Sequence, residues 1–303
     1  MKRWLPLLAV LVTTACGGQQ SSDVSLCGSA GRLRVGLVGA AEGRAQSAAW
    51  VLPDQDQFRL RELLMVASRC EVQLEPVLSP EQARLRLRSG DWDLAFLPPG
   101  LTAVALEQSG RYGLVRQLGR RSNAKSQLLV RADSGLKTRA DLRGRRLGLL
   151  PRGSLTGFYL PLFNLHGLRF SEVRYALSYA ELRAMLDEGK VDVIAWDGSL
   201  PADNAQHRVV HEDSHLIPLG ALALSQSLLQ SDHQPFLRQL DQNVTQLPPS
   251  LGYASGVIPE PYALKELRAI VAAVESWTLP RAGQPYTVYG AKGAADAGAG
   301  GNR

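Results

Sequence analysis

The stretch Asp141-Leu-Arg-Gly-Arg-Arg-Leu-Gly-Leu-Leu150-Pro-Arg-Gly-Ser154-Leu155-Thr156-Gly157-Phe-Tyr-Leu-Pro161 decides how the chain is read. Its pattern predicts a short apolar strand over Arg146–Leu150, a Pro-Arg-Gly turn, and an amphipathic helix over Thr156–Leu165. The turn delivers Ser154, Leu155, Thr156 and Gly157 to the helix start. Helix N-termini hold backbone N–H groups without partners and carry partial positive charge, so they attract anions. Hydroxyls at that position add donors. The nucleophile pattern Gly-x-Ser-x-Gly is matched only loosely, because the hydroxyl falls one position off. No histidine or acid is spaced as a triad partner. The segment reads as an oxyanion cradle rather than a catalytic elbow. Helix capping alone selects the same Ser and Thr, so that reading stands beside it.

Upstream, strands are predicted at Arg32–Gly39, Val72–Leu78 and Trp92–Leu97. Helices are predicted at Asp56–Arg69 and from Ser79-Pro80, an N-cap followed by proline at the first helical position. The third strand runs into Pro98-Pro99-Gly100, and another helix follows to Glu107. Tyr112–Leu118 and Gln127–Arg131 read as strands that carry the chain away from this first unit. Downstream of the opening stretch come strand Val173–Leu177, helix Tyr179–Glu188, and strand Val191–Trp196 ending at Asp197-Gly198-Ser199. Leu216–Leu224 returns the chain, and helices near His233–Leu247 and Tyr262–Trp277 complete it.

Strands alternating with helices in two separate runs imply an α/β fold of two lobes, with two chain crossovers and a cleft between them. Lobe 1 takes 32–125 and 216–280, and lobe 2 takes 126–215. Ligands in such folds bind at the carboxyl ends of strands and at helix N-termini. The binding candidates are therefore Ser154, Leu155, Thr156, Gly157, Tyr179 and Asp197, with Pro98 and Pro99 contributing backbone groups. Asp197 before Gly198-Ser199 also suits a simple turn, and Tyr179 a partly exposed helix start.

Residues 1–15 have the form of an export signal: Lys2 and Arg3, then the apolar Trp4–Val12, then Thr13, Thr14 and Ala15. The apolar part is too short to span a membrane. Ala15-Cys16-Gly17-Gly18-Gln19 is similar to a bacterial lipoprotein cleavage site. That likeness implies a lipidated Cys16, a membrane anchor, and a polar tether over 16–31. A conventional signal peptide with an incidental Cys16 is the other reading. The Ala/Gly-rich end, within a tail of 281–303, is expected to be disordered.

A hydrophobic content of 45% fits a protein with a real core, and Lys2 and Arg3 supply two of the six net positive charges. Arginines at helix-like spacings, such as Arg59/Arg61 and Arg84/Arg86/Arg88, read as solvated faces. No basic groove with interleaved aromatics is visible, which argues against a nucleic-acid partner. An exported chain can keep a disulfide. Cys27 stands before the first strand and Cys70 just after the first helix, ends that a strand–helix unit brings together. Two separate thiols remain the alternative. His207, His211 and His215 recur every four residues, yet Val209-Val210 predict extended chain and no carboxylate completes a zinc set. Asp91 and Asp93 read as a strand edge, so neither a metal nor a cofactor is expected.

Four segments carry a family resemblance: Asp91-Trp-Asp93-Leu-Ala-Phe-Leu-Pro98-Pro99, Asp141-Leu-Arg-Gly144, Gly153-Ser154-Leu155-Thr156-Gly157 with Pro161, and Glu188-Gly189-Lys190-Val191-Asp192-Val193 with Asp197. Together they resemble the substrate-binding proteins of ABC transporters for phosphate, phosphite and phosphonate, the PhnD-like family. The resemblance implies a venus-flytrap fold of the type II periplasmic binding class. It also implies a periplasmic, non-enzymatic role: a lipoprotein that hands a small oxyanion to an ABC permease. By the match, Ser154, Thr156 and Gly157 hold the oxyanion oxygens, while Asp197 faces them and accepts from a protonated oxygen or an amine. Leu155 stands where the family usually has another hydroxyl, and Ser178-Tyr179 where many members have a histidine. These departures keep a second function open, a ligand sensor or partner-docking protein that retains the fold.

Overall fold

The computed structural model describes residues 25–28, 31–38, 52–107, 110–119 and 125–288. The expectations for Cys16, the signal-like segment, most of the 40–54 loop and the end of the tail lie outside the described residues.

Lobe 1 begins with β1 (Arg32–Val38), α1 (Asp54–Ser68), β2 (Glu71–Val77), α2 (Pro80–Ser89), β3 (Leu94–Leu97), α3 (Pro99–Glu107) and β4 (Tyr112–Leu118). The chain then crosses to β5 (Ser126–Arg131), β6 (Arg146–Leu149), α4 (Leu160–Asn164), β7 (Arg169–Phe170), β8 (Glu172–Tyr175), α5 (Tyr179–Asp187), β9 (Val193–Asp197) and β10 (His207–Glu212). It returns as β11 (Gly220–Ser225), α6 (Gln226–Leu229), α7 (Gln234–Gln242) and α8 (Pro261–Glu275), and ends in β12 (Tyr286–Thr287). One five-stranded sheet has the order β2-β1-β3-β11-β4 and the other β10-β5-β9-β6-β8. In each, the βα units pair in parallel, while the crossing strands β4 and β11, and β5 and β10, pair antiparallel.

Local chemistry explains the elements that frame the cleft. At the start of α2 the Ser79 hydroxyl accepts from Gln82 N and Pro80 occupies the first turn; Gly90, at φ 74°, ends the helix. The expected helix over Thr156–Leu165 forms differently. Its first turn, Leu155–Tyr159, is wide: Tyr159 N donates to Ser154 O at 3.1 Å, five residues back. Pro161 is the cause. It has no N–H for the carbonyl of Gly157, and its ring crowds that position. The Gly157 carbonyl instead accepts from Leu150 N at 3.0 Å. A Cβ on Gly157 would lie 2.7 Å from Leu150 side-chain atoms, so only glycine allows this approach. The wide turn thus stitches the helix start to the end of β6.

The tail departs from expectation. Residues 281–288 are ordered, because Tyr286 and Thr287 pair antiparallel with β7. Val288 N donates to Leu168 O at 2.9 Å, and Tyr175 Oη to Pro280 O at 3.0 Å. The chain therefore leaves α8 as a strap that bonds to the edge strand β8 of the second sheet and pairs with β7 in a separate two-stranded sheet, in addition to the two crossings between the large sheets. His207 and His211 lie on a strand, not a helix: His207 Nε2 sits 2.6 Å from Asp187 and His215 Nδ1 2.7 Å from Asp213. Among the described residues no group of three or more His, Cys, Asp or Glu is arranged to hold a metal ion, and no helix is long and apolar enough to cross a membrane. Asp93 and Asp91 are taken by different arginines, Arg34 and Arg86.

Cys27 and Cys70 are joined by a disulfide, with Cα atoms 5.6 Å apart. Arg69, at φ 55°, ends α1 in a left-handed turn that swings Cys70 back toward the entry of β1, while Leu26 N donates to Ser68 O at 2.8 Å. Titration of the denatured, unreduced protein is expected to find no reactive thiol other than Cys16. Reduction is expected to cost about 2–4 kcal/mol of stability on the loop-closure account. A further two reactive thiols would refute the pairing.

Candidate functional site

Three elements of the second lobe, a turn, a helix and a strand, converge at the carboxyl ends of its strands. The wide turn supplies Ser154, Thr156 and Gly157, the start of α5 supplies Tyr179, and the end of β9 supplies Asp197. Their exposures are 2% for Ser154, 0% for Thr156, 2% for Tyr179 and 3% for Asp197. Such enclosed polar groups need partners, and they find them in one another. The Thr156 hydroxyl lies 2.6 Å from Tyr179 Oη and donates to Asp197 Oδ2 at 3.2 Å. With that proton spent on the carboxylate, Tyr179 is the donor to Thr156. The other carboxylate oxygen accepts from Ser199 N at 2.9 Å and from Ser199 Oγ at 2.6 Å. The result is a polarised chain, Tyr179 to Thr156 to Asp197, closed by Ser199. Each bond strengthens the next at low local dielectric.

Ser154 caps the turn: its hydroxyl oxygen accepts from Gly157 N at 3.0 Å. Leu155 is fully buried in an apolar cluster that also contains Leu97, Leu101 and Val271. Its side chain packs between elements of both lobes, so its contribution to a site is confined to its backbone. Ser126 was not legible as a site residue. It stands opposite Asp197 in the β5–β9 register and donates to Thr156 O at 3.2 Å, pinning the turn from beneath.

Lobe 1 meets this cluster through α3. A Cβ on Gly100 would lie 2.5 Å from Gly153 O and 2.8 Å from Leu155 N. The first turn of α3 therefore lies directly on the 153–155 backbone. The first N–H groups of α3 lack intrahelical acceptors and add positive potential. Pro98 and Pro99 lie at this contact, at the end of β3 and the start of α3. Pro98 O is already engaged, accepting from Thr102 N at 2.9 Å and Thr102 Oγ1 at 3.0 Å, and Pro99 opens the helix. Gly153, at φ +113°, presses on α2: a Cβ there would meet Pro80 O at 2.7 Å.

Behind the turn sits a charged cluster with no sequence signal beyond its separate residues. Glu275 ends α8 with its side chain 9% exposed. It accepts from Arg152 Nε at 2.7 Å, Tyr159 Oη at 2.6 Å, Arg88 Nη1 at 3.2 Å and Arg84 Nη1 at 3.4 Å, and also pairs with Arg152 Nη2. Burial alone pushes its pKa up, but Arg152, Tyr159 and Arg84 outweigh burial and hold the carboxyl below its ordinary value. Burial, then the charge of Glu275, push the Tyr159 phenol well above its own ordinary value, so it remains a donor.

Residues 55–171 match the family described as ABC transporter, phosphonate, periplasmic substrate-binding protein. No curated protein matches the chain. Among solved structures, PhnD1 from Prochlorococcus marinus in complex with methylphosphonate aligns with a TM-score of 0.58 at 15% identity, over 81% of this chain and 98% of that one. A binding protein component of an ABC phosphonate transporter from Pseudomonas aeruginosa aligns at 0.57 and 13%, over 78% and 84%. A Xanthomonas citri protein bound to chloride ion aligns at 0.60 and 17%, over 80% and 98%. These structures share the two-lobed fold; the family comprises substrate-binding proteins of the periplasm. Over residues 55–171 the chain thus resembles the phosphonate-type periplasmic substrate-binding proteins of ABC transporters, and it has the type II periplasmic binding protein fold that those solved structures share.

Proposed function

We propose that the protein is the extracytoplasmic solute-binding component of an ABC importer and binds a small oxyanion of the phosphonate, phosphite or phosphate type between its lobes. The observation that carries this reading is the convergence of Thr156, Tyr179 and Asp197 beside two helix starts, those of the 155–164 segment and of α3. Helix N–H groups and hydroxyls are the donors that a tetrahedral anion requires. A carboxylate among them repels a fully ionised anion and accepts from one that keeps a proton. Asp197 is therefore the selectivity element, and Ser154, Thr156 and the Gly157 backbone are the cradle. In this reading Cys16 carries the lipid anchor, and the lobes dock on an ABC permease.

A second reading is supported by a specific observation. The cleft hydroxyls are almost fully enclosed and their bonds are made within the chain. A ligand sensor or partner-docking protein with the same fold accounts for that enclosure. Calorimetric titration of phosphate, phosphite, methylphosphonate, sulfate and an alkylsulfonate into the folded protein separates the two. Heat with a phosphorus oxyanion is expected; no heat with any of the five favours the second reading.

Removing a hydroxyl that contacts a buried anion costs about 1.5–3 kcal/mol. Ser154→Ala and Thr156→Val are therefore each expected to weaken affinity by about tenfold or more. Normal affinity with a lowered melting temperature in both variants would reduce these residues to a structural role. Asp197→Asn removes the fixed negative charge and is expected to shift preference toward the fully ionised form of the ligand. Competition titrations on either side of the ligand's own pKa read this out, and an unchanged ratio would remove Asp197 from the selectivity step.

A further inference from the structure

The charged cluster behind the cleft ties together parts of the chain that a hinged protein must separate. Arg84 and Arg88 stand on α2 of lobe 1, and Glu275 ends α8, which packs on α3. Arg152 and Tyr159 belong to the second lobe. Their positions matter: Arg152 lies two residues before Ser154, and Tyr159 three residues after Thr156. One carboxylate therefore grips both ends of the turn that bears the cleft hydroxyls. Arg84 is held in turn by Glu81, at 2.8 and 2.9 Å.

The surroundings reinforce this grip. The first turn of α3 rests on the backbone of 153–155, and Gly153 rests on Pro80, with no room for a Cβ at either glycine. A single apolar cluster runs from Leu87 and Leu97 of lobe 1 through Leu155 and Phe158 to Val271 and Val274 of α8. Beyond Glu275, the chain continues to β12, which pairs with β7 of the second lobe in a separate two-stranded sheet. Opening the cleft along this side must withdraw Arg152 and Tyr159 from Glu275. That step leaves a buried carboxylate and a phenol short of partners, a state that low dielectric strongly disfavours.

We propose that Glu275 is the positioning residue of the cleft, a latch that holds the 152–159 turn and the two lobes together before any ligand arrives and that must release Arg152 for the cleft to open. Its role in ligand binding rests on the reading of the cleft given above; its role as a latch does not.

The experiment measures the distance between the lobes in the ligand-free, disulfide-bonded protein carrying Cys16→Ser. Spin labels go on Glu62→Cys in α1 and Ala184→Cys in α5, both exposed positions. A single narrow distance distribution is expected for the parent. Arg152→Ala cuts the link between the lobes but leaves Glu275 paired with Arg84 and Arg88, so the fold is retained. It is expected to add a second, longer population, with Tyr159→Phe giving a smaller one and Arg152→Lys restoring most of the short distance. A broad or long distribution in the ligand-free parent, or no change on Arg152→Ala, overturns the latch. Titration with methylphosphonate forms the second arm. If Arg152→Ala leaves about a tenth of molecules closed, the apparent Kd rises about tenfold. An equal Kd in the presence of the longer population overturns the positioning role. If the parent does not bind methylphosphonate at all, the ligand reading fails at that point, and the distance arm still decides the latch.

Discussion

A carboxylate removed from water needs compensation from several sides, and the arrangement around Glu275 follows from that requirement. Three guanidinium groups and a phenol reach one side chain that is 9% exposed. Taking a partner from a buried ion cluster costs about 3–5 kcal/mol, because the charges left behind remain desolvated. The partners come from α2, from the loop after β6 and from the wide turn, so satisfying one charge sets the mutual position of three elements. The close backbone approaches at Gly100 and Gly153, and the apolar cluster shared by the lobes, are compatible with that one placement.

The same logic governs the cleft. Tyr179, Thr156 and Asp197 form a donor-to-acceptor chain ending on a carboxylate, and Ser199 satisfies its far oxygen. Ser154 serves its own helix, while Ser126 holds the turn from the sheet beneath. A site assembled this way has its donors oriented in advance.

Much of the architecture was legible from local signals. Ser79-Pro80 marked the start of α2, the alternation in 32–38 marked β1, and the Asp197-Gly198-Ser199 turn is the side-chain-to-backbone motif its residue types favour. The 151–157 stretch was expected to lead into a helix start, and Leu155–Tyr159 does form the first, wide turn of a helical segment. What sequence patterns missed are pairings between distant residues: Glu275 with Arg152, Ser126 with Thr156, and β12 with β7. The disorder expected of 281–303 came from its Ala/Gly-rich end, which lies outside the described residues; its first part is placed by the pairing of Tyr286 and Thr287 with β7, which local composition does not signal.

Local chemistry determined where the chain turns, which faces are apolar, and which hydroxyls stand at a helix start. These depend on neighbours within a few residues, which a linear pattern records. The missing N–H of Pro161 belongs to this class, although its effect, the wide turn, appears only when the Gly157 carbonyl finds Leu150 N. Tertiary structure alone decided that Thr156 bonds to Asp197, that Leu155 faces the core, and that a carboxylate 123 residues from Arg152 in sequence closes the back of the cleft. Those outcomes depend on which buried charges and donors meet once water is excluded, and sequence separation carries no record of that.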